Sequence, residues 1–82
     1  MESAIDVSKV SAYLDDKNNL HLNYNKCDEV NVYSITGEKI ITKKLDRTNN
    51  YNTFSLDVNK GIYLISFMSN ASTITTKKVV VQ

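Results

Sequence analysis

Few side chains in this sequence could perform covalent chemistry: it has a single histidine, His21, and a single cysteine, Cys27. A catalytic thiol needs an imidazole within hydrogen-bond reach and a third group to orient it. No such set can be named, so we expect no enzyme active site. His21 lies on the polar side of the Leu20 and Leu22 alternation, which predicts an exposed strand residue. Cys27 is interpreted as a small hydrophobic residue.

Metal and cofactor sites are equally poorly supported. One cysteine excludes an internal disulfide and any multi-cysteine zinc site. Asp15, Asp16, Asp28 and Glu29 could supply oxygen ligands, but they lack the Asp-x-Asp-x-Asp-Gly spacing of a calcium loop. We therefore expect them to be solvated turn residues. The sequence contains no glycine-rich phosphate loop, and we expect no cofactor and no small-molecule substrate.

The length and the net charge of the chain exclude several other functional classes. The chain has 82 residues, which is one domain at most, and ten Lys and Arg against nine Asp and Glu leave a net charge of +1. Because no strong field surrounds such a chain, nucleic acid is not an expected partner. No segment approaches the roughly 20 apolar residues that cross a bilayer, and the first ten residues lack the features of a signal peptide. The sequence thus predicts a soluble domain.

Turn-forming clusters divide the chain into seven short segments. Within the segments apolar residues recur every second position, as in Leu20, Leu22 and Tyr24, which indicates strands with one buried face. The segments are rich in Val, Ile, Thr and Tyr and are too short for helices. We therefore predict an all-β, seven-stranded, antiparallel, immunoglobulin-like β-sandwich. The six turn clusters lie at residues 15–19, 25–28, 36–37, 47–50, 59–61 and 69–72.

One segment departs from the alternation. Residues 61–68 are apolar on both faces, which is typical of a central strand. At the other extreme, residues 1–9 combine isolated apolar positions with polar ones, and we interpret them as a linker remnant or a loosely held first strand. The predicted domain occupies residues 10–82.

Three motifs follow one another in a familiar order: VYSITGEKI at residues 32–40, LDVNKGIYLISF at residues 56–67, and TKKVVVQ at residues 76–82. Together they resemble the type A C-terminal sorting domain of cargo exported by the type IX secretion system, over about residues 10 to 82. Members of that family usually carry Asn-Pro at the end of the first strand, where this chain has Leu14, Asp15 and Asp16. That difference leaves the first turn undefined by the resemblance.

The resemblance implies specific roles. Gly37 and Gly61 would lie in turns, and Tyr63 in the core. The translocon would read the last strand, which comprises Lys77, Lys78, Val79, Val80, Val81 and Gln82. The implied partners are an outer-membrane translocon, a sortase-like protease and an N-terminal passenger domain, with cleavage near or before residues 1 to 10. The implied destination is outside the cell or on its surface, reached through the periplasm.

Two other functions remain open. A small adhesive or carbohydrate-binding module would present exposed aromatic residues, for which Tyr13, Tyr33 and Tyr51 are the candidates. A structural spacer domain would need no ligand at all. The adhesive module predicts glycan binding that is independent of the C-terminus, and the spacer predicts that truncating the last strand affects stability only. A sorting signal predicts that the last strand is recognised.

Overall fold

The computed structural model describes residues 9–82, and these form seven β-strands. The predicted segment at residues 1–9 lies almost wholly outside the described residues. Within them no helix has the length and hydropathy needed to span a bilayer. The strands are β1 Ser11–Leu14, β2 Asn19–Asn23, β3 Glu29–Ser34, β4 Lys39–Lys44, β5 Tyr51–Ser55, β6 Gly61–Ser69 and β7 Ser72–Val81.

The strands form two antiparallel sheets. One sheet has three strands in the order β1-β2-β5, and the other has four strands in the order β4-β3-β6-β7. Connections between β2 and β3, β4 and β5, and β5 and β6 cross from one sheet to the other. This is the predicted antiparallel sandwich, and the prediction of an all-β, seven-stranded fold is confirmed.

The core lies between the inner faces of the two sheets. Its members are the apolar residues of the alternating segments, because each strand turns every second side chain inward. Tyr24 packs near Phe67, with ring centroids 6.5 Å apart, and Cys27 is fully buried among them. The buried apolar set comprises Val10, Leu20, Leu22, Tyr24, Cys27, Val30, Val32, Leu45, Leu56, Tyr63, Ile65, Phe67, Val79 and Val81.

Strand β6 is interior to its sheet, between β3 and β7, as the apolar residues on both of its faces predict. Its inward residues Tyr63, Ile65 and Phe67 are buried. On the outward side, Leu64 is half-buried and Ile62 is 39% exposed. The apolar outward residues therefore lie on a sheet face that the described chain covers only in part.

Asp28 connects three loops at one end of the sandwich, which we call the Asp28 end. Its backbone N–H donates to the Met68 carbonyl at 3.0 Å, and its carbonyl accepts from the Leu45 N–H at 2.9 Å. Its carboxylate accepts from the Asn70 N–H at 3.1 Å and from Arg47 at 3.4 Å. The loops before β3, after β4 and after β6 are thereby held together.

Candidate recognition edge

Strand β7 lies at the rim of the four-stranded sheet, where it pairs with β6 alone. The two strands are joined by Asn70 and Ala71, which have φ values of 52° and 65°. Positive φ at both residues of a two-residue loop is the geometry that matches the twist of a hairpin. Since loop geometry determines hairpin register, this turn determines which side of β7 each side chain occupies.

The inward side of β7 carries Lys77 together with Val79 and Val81. Lys77 is paired with Ile65 and Val79 with Tyr63, both of which face the core. Val79 and Val81 are 6% and 3% exposed, whereas Lys77 is half-buried. Inward-pointing charge on a rim strand is a known means of preventing sheets from pairing indiscriminately.

The outward side of β7 carries Lys78 and Val80. Lys78 is in register with Leu64, and Val80 with Ile62. Val80 is 49% exposed and Ile62 is 39% exposed. The two therefore form an accessible apolar pair at the rim, beside an exposed ammonium group.

Strand β1 lies alongside β7, at the edge where the two sheets meet. A cleft of about 400 Å³ opens there, between the β1–β2 turn and the last residues of the chain. We call this the cleft end of the sandwich. The cleft lies beside Val80 and the exposed Gln82, so this part of the rim is accessible from outside. Its lining residues are Leu14, Asp15, Asp16, Asn18, Val80 and Gln82.

Comparison with protein families identifies the family to which this domain belongs. Residues 14–82 match the family described as the secretion system C-terminal sorting domain, which is the sorting signal of type IX secretion. The chain belongs to this family. Comparison with curated proteins gives no match. The predicted resemblance is thus confirmed, and the sorting domain is the part of a secreted or cell-surface cargo protein that interacts with the secretion machinery.

The turn and core residues of the motifs have clear positions in the sorting domain. Gly37 has a φ of 95° in the turn between β3 and β4, where its N–H donates to the Ser34 carbonyl at 3.0 Å. Gly61 has a φ of 153° at the start of β6, a backbone conformation that residues other than glycine rarely adopt. The buried Tyr63 donates its hydroxyl proton to the Asn59 carbonyl at 2.6 Å. Each of these three residues therefore has a structural role in the fold.

A polar cluster on the outer face of the three-stranded sheet was not anticipated. His21 contacts the Tyr51 hydroxyl through Nδ1 and the Asp15 carboxylate through Nε2, the latter at 2.9 Å. Tyr13 stacks on the His21 ring with centroids 4.7 Å apart. The prediction of an exposed His21 is therefore wrong, because its side chain is only 19% exposed. Equal spacing of Tyr13 and His21 from the intervening turn was the signal that could have revealed the pair.

The same cluster controls the ionisation of Asp15. The hydrogen bond from His21 holds the pKa of Asp15 well below its usual range, and the backbone N–H groups of Asn19 and Lys17 act in the same direction. A carboxylate bound this firmly stabilises the β1–β2 turn. The cluster is thus explained by the local fold.

The single thiol has no comparable chemical environment. Burial raises the pKa of Cys27, and its Sγ contacts the Asn25 carbonyl at 3.4 Å. A buried neutral thiol is a poor nucleophile. Among the described residues, no three His, Cys, Asp or Glu side chains are grouped closely enough to hold a metal ion. The sorting-signal family is itself a non-catalytic one.

Proposed function

We propose that this domain directs a passenger protein across the outer membrane by offering the rim strand β7 to the type IX translocon. The observation that carries the proposal is the position of the last motif. It forms a strand at a sheet rim, with exposed side chains and an adjoining cleft, in a chain that belongs to the sorting-domain family. Residues 77–82 are the proposed recognition element.

Rim strands have backbone N–H and C=O groups that a second protein can pair with by adding a strand. Main-chain hydrogen bonds then supply affinity, and alternating side chains supply specificity. Lys78 and Val80 face outward, where a partner can contact them directly. Val79 and Val81 are held in the core, so the strand is ordered before the partner arrives. Prior order reduces the entropic cost of binding.

The remaining steps involve other proteins. The passenger and the sorting domain would pass through the inner membrane, the domain would fold in the periplasm, and the translocon would then bind it. A sortase-like protease would cut upstream of the sandwich, near or before residues 1 to 10. The passenger would be released or attached to the cell surface. The sorting domain contributes recognition and no covalent step.

A reporter fusion tests the proposal. The domain is placed behind a fluorescent protein with an inner-membrane export signal, in a bacterium that has a type IX system, and secreted reporter is measured. Deletion of residues 77–82 should abolish secretion. Because that deletion also removes Val79 and Val81 from the core, a second variant is needed that leaves the core intact.

Val80→Asp is that variant, and Ile40→Asp is its matched control. Both residues are exposed β-branched side chains on the two rim strands of one sheet, Val80 at 49% and Ile40 at 42%. Secretion should fall with Val80→Asp and remain with Ile40→Asp. Undiminished secretion after deletion of residues 77–82 would contradict the proposed function.

A second candidate function is an adhesive or carbohydrate-binding module. It is favoured by the exposure of Tyr13 and Tyr51, at 50% and 44%, on either side of His21. Tyr33 does not join them, since it lies on β3 in the other sheet. A glycan array would detect such a module, and Tyr13→Ala would abolish its binding without affecting secretion.

A further inference from the structure

Like most lysines of the described chain, the two on β7 have no ion-pair partner, but they are adjacent on a rim strand. Lys44 pairs with Glu29 at 2.9 Å, and Arg47 pairs with Asp28 at 3.4 Å. Among residues 9–82, neither Lys77 nor Lys78 has an ion pair with a carboxylate. Two adjacent, uncompensated ammonium groups therefore lie in the middle of a rim strand.

A strand added to β7 would enter at the edge beside β1, where the cleft opens, and must place its side chains in phase with those of β7. Residues directly opposite each other in a sheet have Cβ atoms roughly 4.5 to 5.5 Å apart, so they contact each other. On the outward side, the added strand meets Lys78 and, two positions along, Val80 beside Ile62. A carboxylate matches the first position and an apolar side chain matches the second.

The inward side of β7 restricts the sequence of a partner strand further. Lys77 is half-buried and shares its side of the strand with the buried Val79. A strand laid along the rim would remove more water from the Lys77 ammonium group, and an apolar or basic neighbour would leave that charge without compensation. Only a partner with a carboxylate at this position avoids the penalty. Lys77 thus excludes most strands, and it selects acidic ones.

From these positions we infer the chemistry of the partner, an inference that rests on the proposed function. The segment of the translocon that pairs with β7 is an extended strand with two adjacent acidic residues, one facing Lys77 and one facing Lys78. It carries an apolar residue two positions from the second carboxylate, packed against Val80 and Ile62. Its charge pattern is complementary to β7, which carries two lysines and no carboxylate.

Charge reversal tests the electrostatic part. In the reporter assay, Lys78→Glu should lower secretion about tenfold or more, because like charges placed opposite each other oppose pairing. Lys78→Gln should give a smaller loss, and Lys78→Arg should remain within about twofold of the wild type, since Arg keeps the charge. Lys39→Glu on β4, at the other rim of the same sheet, is the matched control. Urea unfolding of each variant verifies that the fold persists.

Site-specific crosslinking tests the partner's identity by its sequence. A photoreactive phenylalanine analogue replaces Val80 in the secreted fusion, with Ile40 as the control position, and the crosslinked segment is sequenced by mass spectrometry. The expected segment contains the acidic pair and the apolar residue. The inference is overturned if the partner segment crosslinked to position 80 is basic or uncharged. It is also overturned if the Lys78→Glu variant is secreted as well as the Lys39→Glu variant. If secretion still requires residues 77–82 in that case, the proposed function survives without it.

Discussion

A pair of substitutions at neighbouring positions tests the arrangement of side chains on β7. Val79 and Val80 are adjacent and chemically identical, but Val79 is 6% exposed and Val80 is 49% exposed. Replacing each valine by threonine changes one methyl group to a hydroxyl group and keeps the shape and the β-branching. The two variants therefore differ only in where the hydroxyl group is placed.

The magnitudes follow from burial. A hydroxyl group that is buried without a hydrogen-bond partner costs roughly 1 to 3 kcal/mol in proteins, and we expect about 2 kcal/mol for Val79→Thr. The exposed position should change by less than about 0.5 kcal/mol. In a domain of this size about 1 kcal/mol corresponds to a shift in Tm of roughly 4 to 8 °C. Val79→Thr should thus unfold about 8 to 16 °C below the wild type.

Circular dichroism melts and urea titrations of the isolated chain provide the measurement. Equal effects of the two substitutions, or a larger effect at Val80, would refute the assigned register between β6 and β7. A larger effect at Val80 would mean that Lys78 rather than Lys77 faces inward. The side of the strand available to a partner would then be the opposite one, and the inference about partner chemistry would fail with it.

Three further predictions concern turns and hydrogen bonds. Ala71→Gly should stabilise the chain by about 0.5 to 1 kcal/mol in urea titrations, because glycine adopts the left-handed conformation without strain. Tyr63→Phe should cost about 1 kcal/mol through loss of the hydrogen bond to Asn59. Asp15 has a pKa depressed in the folded chain, chiefly by His21, so its contribution is present above the unfolded value of about 4 and is lost as pH falls below it. Wild type and Asp15→Asn should accordingly differ in unfolding free energy at neutral pH and converge in acid.

The strands of this fold were predictable because the physics that forms them is local. Alternation such as that of Leu20, Leu22 and Tyr24 identifies a strand with one wet face, and the clusters between strands identify turns. The interior position of β6 followed from the apolar residues on both of its faces, where Ser66 is the one polar residue between Ile62 and Met68. These signals lie within a few residues of each other, so a single sequence contains them.

Features that depend on long-range pairing were not predictable in the same way. The assignment of Tyr33 to one sheet, and of Tyr13 and Tyr51 to the other, requires the strand order. The environment of His21 depends on a contact with Tyr51, thirty residues away in sequence. A period-two pattern shows which side of a strand is polar, but it does not show which residues of other strands contact that side.

The recognition edge is an intermediate case. Sequence motifs identified residues 77–82 as the segment of interest, and alternation alone could have placed the two lysines on opposite sides of a strand. Which of them faces the core depends on the hairpin register, and that depends on Asn70 and Ala71. Alanine has no intrinsic preference for a positive φ, so this turn carries little local signal.

The Asp28 end and the cleft end of the sandwich would have different parts in carrying a cargo protein. Strand β1 begins at the Asp28 end, since Ser11 pairs with Asn23, and β7 finishes beside the cleft at the far end. The ten residues of β7 span roughly 33 Å between those ends. A passenger joined ahead of Lys9 would therefore be attached at the Asp28 end, whereas a partner that binds Val80 and Gln82 would be at the cleft end.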